Sequence, residues 1–307
     1  MISAKKVTKS FHTPGMKAPY VALNELNCEI PSGCIYGLVG SNGAGKSTFL
    51  RLLSGVYKAD AGEITVDGLN VWENPKAKDK IVYVPDELYF LPQSNMNKMA
   101  RFYQAVYPKF SWERYSNLTE TFDLDPTANF NTFSKGMKRQ AATILALSTM
   151  PDYLFFDETF DGLDPVMRNL VKKVIYTDVL ERGATTIITS HSLRELEDTC
   201  DQLALLHKGG IVFESDIQNL KTSLFKVQTA FSDAFSRVRF ENVGIDILSY
   251  GQTGSVATFI VRGDRMEVEA KISCMNPLLL DILPLNLEEV FVYEMEALGY
   301  AFGDILM

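Results

Sequence analysis

No stretch of this 307-residue chain approaches the roughly 18 uninterrupted apolar residues that a membrane-spanning helix needs. The chain is therefore not expected to cross a bilayer, and any work at a membrane would run through partners. Its first nine residues are polar, with three lysines and no apolar run behind them, so the chain reads as intracellular, without a secretory leader. Cysteine is scarce. Cys28, Cys34, Cys200 and Cys274 show neither CxxC pairing nor metal-ligand spacing, which predicts small buried hydrophobes in a reducing compartment. Positive charge is short as well: 30 Lys and Arg face 38 Asp and Glu, a formal net charge of −8. With no long basic block either, a nucleic-acid partner is not expected.

What is present is ordinary for a globular protein, 46% hydrophobic and 22% charged. At about 150 residues per domain, the length suits one sizeable domain and a smaller one. The informative stretch is Gly40, Ser41, Asn42, Gly43, Ala44, Gly45, Lys46, Ser47 and Thr48, set between an apolar run at 35–39 and a helix-like segment at 48–53. Strand, glycine-rich turn and helix form the context in which G-x-x-x-x-G-K-S/T has meaning. Small or glycine positions let successive backbone N–H groups point at phosphate oxygens. Lys46 then reaches the outer phosphates, and the Ser47 hydroxyl completes a Mg²⁺ shell. A nucleoside triphosphate is expected here.

Strands are predicted near 5–11, 20–30, 34–39, 63–66 and 81–84, and the loop at 12–19 carries proline and glycine. From about 87 to 150 the pattern is helical. Met99, Phe102, Tyr103, Val106, Tyr107 and Phe110 make one apolar stripe, which predicts a packed helix. Ser134 reads as the cap of the helix that follows it, Asp164 before Pro165 as a second start, and Ser192 with Glu195 as a capping box. The apolar run 153–156 ends in Asp157 and Glu158, and the β-branched run 185–189 is followed by His191. Asp157 is placed to anchor magnesium, Glu158 to poise a water, and His191 to contact a γ-phosphate at the strand ends where such sheets bind ligands. Strands alternating with helices up to about residue 200 mean an α/β core. Beyond about 220 the pattern becomes a small α+β module without a nucleophile, base or metal constellation.

Taken together these motifs resemble the ATP-binding-cassette (ABC) transporter ATPases. Residues 40–48 match Walker A, Leu154 to Glu158 match Walker B with the catalytic glutamate, and Phe133-Ser134-Lys135-Gly136-Met137 matches the signature. Asp161-Gly162-Leu163-Asp164 matches the D-loop and His191 the switch histidine. The resemblance implies a P-loop NTPase core with an antiparallel β subdomain and a helical subdomain near 87–150, filling residues 1–219, and a carboxyl-terminal α+β domain at 220–307. It implies ATP and Mg²⁺, with Ser47, Asp157 and Asp86 toward the metal and Lys46, Glu158 and His191 toward hydrolysis. Phe11 takes the place of the adenine-stacking aromatic, with Tyr20 as a less favoured substitute. In this family two subunits meet head to tail, so Ser134 and Gly136 would contact the partner's nucleotide and Asp164 would help join the sites. The partner is a second copy or a homologous subunit, with integral membrane permease subunits beyond it at the cytoplasmic face.

The departures are specific. Asp86 stands where glutamine is usual, and it cannot donate a hydrogen bond as an amide can. Lys135 replaces a signature glycine, where it either adds charge near ATP or points to solvent; Phe133 replaces leucine, and Thr159-Phe160 replace Pro-Thr. The tail containing Asn276-Pro277-Leu278-Leu279-Leu280 and residues 287–294 resembles bacterial exporter-type ATPases, favouring export over nutrient import. Tyr89, Phe90 and the helix at 99–110 are expected to form the groove for the membrane subunit. A non-transport member, acting on ribosomes or DNA or as a regulatory ATP sensor, is the alternative.

Overall fold

A computed structural model of the chain describes residues 1–12, 15 and 18–297. Parts of the predicted 12–19 loop and of the carboxyl-terminal module thus lie outside the described residues. The fold separates into a compact unit Met1–Glu214 and a second unit that begins at Ser215.

In the first unit, β1 (Ile2–Phe11), β2 (Tyr20–Ile30), β4 (Ala61–Val66) and β5 (Leu69–Asn70) form an antiparallel sheet in the order β2-β1-β4-β5. A six-stranded sheet contains β3 (Ile35–Val39), β6 (Ile81–Val84), β7 (Tyr153–Asp157), β8 (Thr185–Ser190), β9 (Gln202–His207) and β10 (Gly210–Asp216), in the order β10-β9-β3-β8-β7-β6. The five strands from β9 to β6 are parallel. Every position of β3, β7 and β8 is buried, which is why each reads as an unbroken run and not as an alternation. Register does the rest. Val39 pairs with Ser190 and Asp157 with Thr189, so the residues following β3, β7 and β8 emerge at one edge. Tyr36, Phe49 and Phe155 are fully buried in the core that both sheets share.

Helix α1 (Lys46–Leu53) leaves the loop after β3, and the short α2 (Pro75–Lys78) precedes β6. The helical part holds α3 (Met96–Val106), α4 (Trp112–Thr121) and α5 (Lys135–Ser148), capped by the side chains of Asn95, Ser111 and Ser134. The apolar stripe expected at 99–110 is shorter than its periodicity: α3 stops at Val106, and Phe110 lies outside it. Tyr107 precedes Pro108, whose ring disfavours the helical region for the residue before it, and Tyr107 is extended (φ −106°, ψ 110°). Phe102 and Val106 stay half-exposed, so the stripe is only partly core.

Asp164 caps α6 (Pro165–Arg182), accepting from the N–H groups of Val166 and Met167, and Gly183 ends the helix in the left-handed region (φ 64°). The expected Ser192 capping box is not formed. Ser190 takes its place before α7 (Leu193–Glu197): its hydroxyl accepts from Ser192 N–H and donates to Glu195.

The second unit contains α8 (Ile217–Ser223), β11 (Leu224–Ala230), α9 (Arg237–Glu241), β12 (Asp246–Thr253), β13 (Val256–Arg262), α10 (Arg265–Ser273), β14 (Leu279–Pro284) and α11 (Leu287–Ala297). Its antiparallel sheet runs β12-β13-β11-β14, so β11 to β14 make a split β-α-β-β-α-β arrangement. Asn286 and Glu289 exchange side-chain-to-backbone hydrogen bonds, a capping box that opens α11. Cys28 and Cys200 are buried as expected, burial pushing the Cys28 thiol up to about 12, whereas Cys274 is exposed.

Candidate nucleotide site

The loop between β3 and α1 is shaped by what its glycines avoid. A Cβ on Gly40 would sit 2.4 Å from the Leu206 carbonyl oxygen, and one on Gly45 (φ 112°) 2.6 Å from that of Ala22. Only glycine fits either place. The loop closes with Ala44 N–H donating to Ser41 O at 3.1 Å, and α1 starts with Phe49 N–H on Gly45 O at 2.9 Å. Residues 41–48 then wall a cavity of about 250 Å³ together with Tyr20, Ala22, Asp86 and Glu158. The first backbone N–H groups of α1 have no acceptor within the helix, and its dipole favours an anion there.

Lys46 is buried, and its ammonium donates to Gly40 O at 2.6 Å while lying 3.3 Å from Glu158 Oε1. The other carboxylate oxygen, Glu158 Oε2, is 3.0 Å from His191 Nδ1. Glu158 is thus gripped from both sides. Its backbone is left-handed (φ 48°), a conformation that costs a non-glycine residue about 1 kcal/mol or more. Thr189 holds it there: the Thr189 hydroxyl accepts from Glu158 N–H at 3.1 Å and donates to Asp157 Oδ1 at 2.7 Å. Asp157 is fully buried, with Tyr83 donating to Oδ2 at 3.1 Å. Burial, reinforced by the Asp157 charge, pushes the Tyr83 phenol well above its ordinary value, so it stays a donor.

The predicted residues separate into two groups. Ser41 to Thr48, Asp86 and Glu158 share the cavity wall, Gly40 enters the loop, Asp157 stands behind the wall, and His191 reaches it through Glu158. Phe11 does not line the cavity; it packs edge-on against Tyr57 at 5.5 Å, with Lys9 over its ring. The aromatic on the wall is Tyr20, whose hydroxyl donates to Gly43 O at 2.7 Å. Ser134, Gly136 and Asp164 do not line this cavity either. Ser134 and Asp164 cap their own helices, and a Cβ on Gly136 would meet Gly162 O at 3.0 Å. Lys135 lays its stem along Gly162 of the D-loop. Asp86 is paired with Arg139, whose Nη2 lies 2.5 Å from Oδ1.

Sequence reasoning missed Thr189, Tyr83 and Arg139. A threonine at the end of a buried strand, level with a strand-end aspartate, was the available signal for the first. As for a metal, the Ser47 hydroxyl and the carboxylates of Asp157 and Asp86 are an all-oxygen set, which fits a hard cation such as Mg²⁺. One donor atom from each of Glu158, Asp161 and His191 also lies within 4.8 Å of the others. That mixed nitrogen–oxygen set suits Mg²⁺ less well.

A protein-family model described as ABC transporter matches residues 23–161. The ABC transporter ATP-binding protein YtrB of Bacillus subtilis is 30% identical over 271 residues, covering 88% of this chain and 91% of that protein. The bacitracin transport ATP-binding protein BcrA of Bacillus licheniformis is 30% identical over 277 residues, 87% of this chain and 89% of that one. Among solved structures, the ATP-binding cassette MJ0796, in a dimeric post-hydrolysis state with ADP and phosphate, superposes with a TM-score of 0.65 at 21% identity, covering 71% of this chain and 99% of that one. That likeness concerns the fold. With the loop, the gripped glutamate and relatives matched over nearly their whole length, the chain belongs to the ATP-binding subunits of ABC transporters and is an ATPase of that family.

Proposed function

We propose that this chain binds ATP between two copies and hydrolyses it to drive export through separate membrane subunits, from the cytoplasmic face of the membrane. The observation that carries the hydrolytic part is the position of Glu158, on the cavity wall between Lys46 and His191. The loop amides and Lys46 hold the phosphates, so that charge developing on the transferred phosphoryl meets fixed donors. Glu158 orients the attacking water and accepts its proton, and His191 contacts the γ-phosphate from the neighbouring strand end. Ser47, Asp157 and Asp86 would hold Mg²⁺, which supplies charge neutralisation on the phosphate oxygens when bound.

Ser134, Gly136 and Asp164 of a second copy complete each site in this reading. None of the three lines the chain's own cavity, and the MJ0796 cassette is dimeric in its solved structure; both facts support it. The partner-facing surface is the exposed apolar set Tyr89, Leu91, Phe102 and Val106; Phe90 instead stacks on Phe130 at 3.8 Å and anchors the segment. Among the described residues no helix is long and apolar enough to cross a membrane, so transport would need such a partner. Relatives named for bacitracin transport and for daunorubicin and doxorubicin resistance favour export of a drug-like or peptide cargo. The test is reconstitution in vesicles with the membrane protein that co-purifies with the chain. ATP-dependent cargo movement and stimulated phosphate release are expected; neither occurring would refute the reading.

A further inference from the structure

Asp86 has a partner that its sequence context does not announce. Arg139, on the second turn of α5, is only 2% exposed, and its Nη2 meets Asp86 Oδ1 at 2.5 Å. Its Nε has no partner among the described residues. A buried guanidinium therefore leans on one carboxylate, and that carboxylate lines the nucleotide cavity. A glutamine at position 86 would not balance the charge. The same helix carries the signature: Ser134 caps α5 and Gly136 packs against Gly162. At about 1.5 Å of rise per residue, Ser134 stands roughly one and a half turns from Arg139 on one rigid element.

We propose that Arg139 is a positioning residue that couples the cation-loaded state of one cavity, sensed at Asp86, to the signature turn that the same chain offers a second copy. The last clause rests on the two-copy reading above. An Asp86 carboxylate that shares its charge with a bound divalent cation holds Arg139 less strongly. The buried guanidinium then has to find other acceptors, and α5 moves with it, carrying Ser134 and Gly136. Cation loading in one site thereby sets the geometry of the other.

The choice of variant follows from the asymmetry of the pair. Asp86 is 50% exposed, so Arg139→Met leaves a solvated carboxylate and a similar stem, whereas Asp86→Asn strands a buried cation. Hydrogen exchange is measured with ADP plus Mg²⁺ and with ADP plus EDTA; ADP lacks the γ-phosphate that a second copy's signature would touch, so any change arises within one chain. The wild type is expected to change exchange at residues 138–141 between the two conditions. Arg139→Met is expected to lose that difference while still binding ADP, and Arg139→Lys to recover part of it. A difference retained in Arg139→Met, or absent in the wild type, overturns the proposal. Phosphate release against ATP concentration is then expected to be sigmoidal in the wild type and hyperbolic in Arg139→Met. A hyperbolic wild-type curve beside an intact exchange response overturns the two-copy reading and the signature clause with it, while supporting the Asp86–Arg139 link.

Discussion

The two units of this chain are built from similar materials and treat polarity differently. In the unit Met1–Glu214 the buried set includes Lys46, Arg139, Asp157, Asp178, Thr189 and Ser190; among the described residues of the second unit, Thr229 is the one buried polar side chain. Phe225, Phe231, Phe240 and Phe259 pack that second core instead. Burying a polar group costs free energy unless it is hydrogen-bonded, so a fold retains such groups where satisfied networks hold them or where chemistry uses them. The contrast locates the reaction in the first unit and assigns the second a packing role as far as its interior is concerned.

The largest expected effect tests that contrast directly. Glu158→Gln keeps the shape of the side chain and removes the base, so phosphate release should fall by about 10²- to 10⁴-fold. Equilibrium ATP binding should survive, because Lys46 and the loop amides remain. Turnover near the wild-type rate would remove Glu158 from the mechanism.

The matching change in the other unit is Phe259→Ala, at a residue 1% exposed within a cluster of aromatic rings. It should destabilise that unit by about 3–5 kcal/mol, seen by thermal or denaturant melting. Phosphate release per folded molecule should hardly change. A loss of turnover at temperatures where both units remain folded would break the division of labour.

Thr189→Val sharpens it, since it deletes one hydroxyl and keeps the volume. The loss leaves Glu158 N–H without its acceptor and Asp157 Oδ1 without its donor. Stability should fall by about 1–3 kcal/mol, and turnover with it, because the left-handed Glu158 is no longer held. Melting and phosphate release from one preparation measure both.

Much of the site was legible in sequence because the phosphate loop, the strand-end Asp157-Glu158 pair and the caps at Ser134 and Asp164 are local devices, decided within a few residues. The parallel strands were legible because full burial makes them continuous apolar runs. Contacts that close over long separations were not. Nothing near Asp86 reveals that its charge is met 53 residues later by Arg139, and nothing near Phe11 shows that Tyr57 occupies its ring while Tyr20 faces the cavity. β14 was overlooked because Leu278 and Leu279 read as part of a tail, and an edge strand shows no full alternation until its neighbour is known. Ser192 fits the capping-box spacing, yet the Ser190 hydroxyl takes that role.

The smallest effect concerns the rim of the first unit, where polarity is ordinary surface chemistry. Asp60 accepts from Lys9 Nζ and from Ser10 N–H, each at 2.7 Å, and the hydrogen bond from Lys9 is the main reason its carboxyl is held below the ordinary range. A depressed carboxylate adds stability that is fully present above its unfolded value, about 3.9, and is lost as pH falls through the lower folded value. Asp60→Asn should therefore cost less than about 1 kcal/mol near pH 7, since the pair is largely solvated. The deficit should shrink below about pH 4, and it should shrink at 1 M salt, where the screening length is about 3 Å. Melting curves of the two proteins across pH measure it. A deficit that persisted unchanged in acid would mean that Asp60 acts through its shape and not its charge. The rim would then belong with the neutral packing of the second unit, and the line between the two regions would have to be redrawn around buried charge alone.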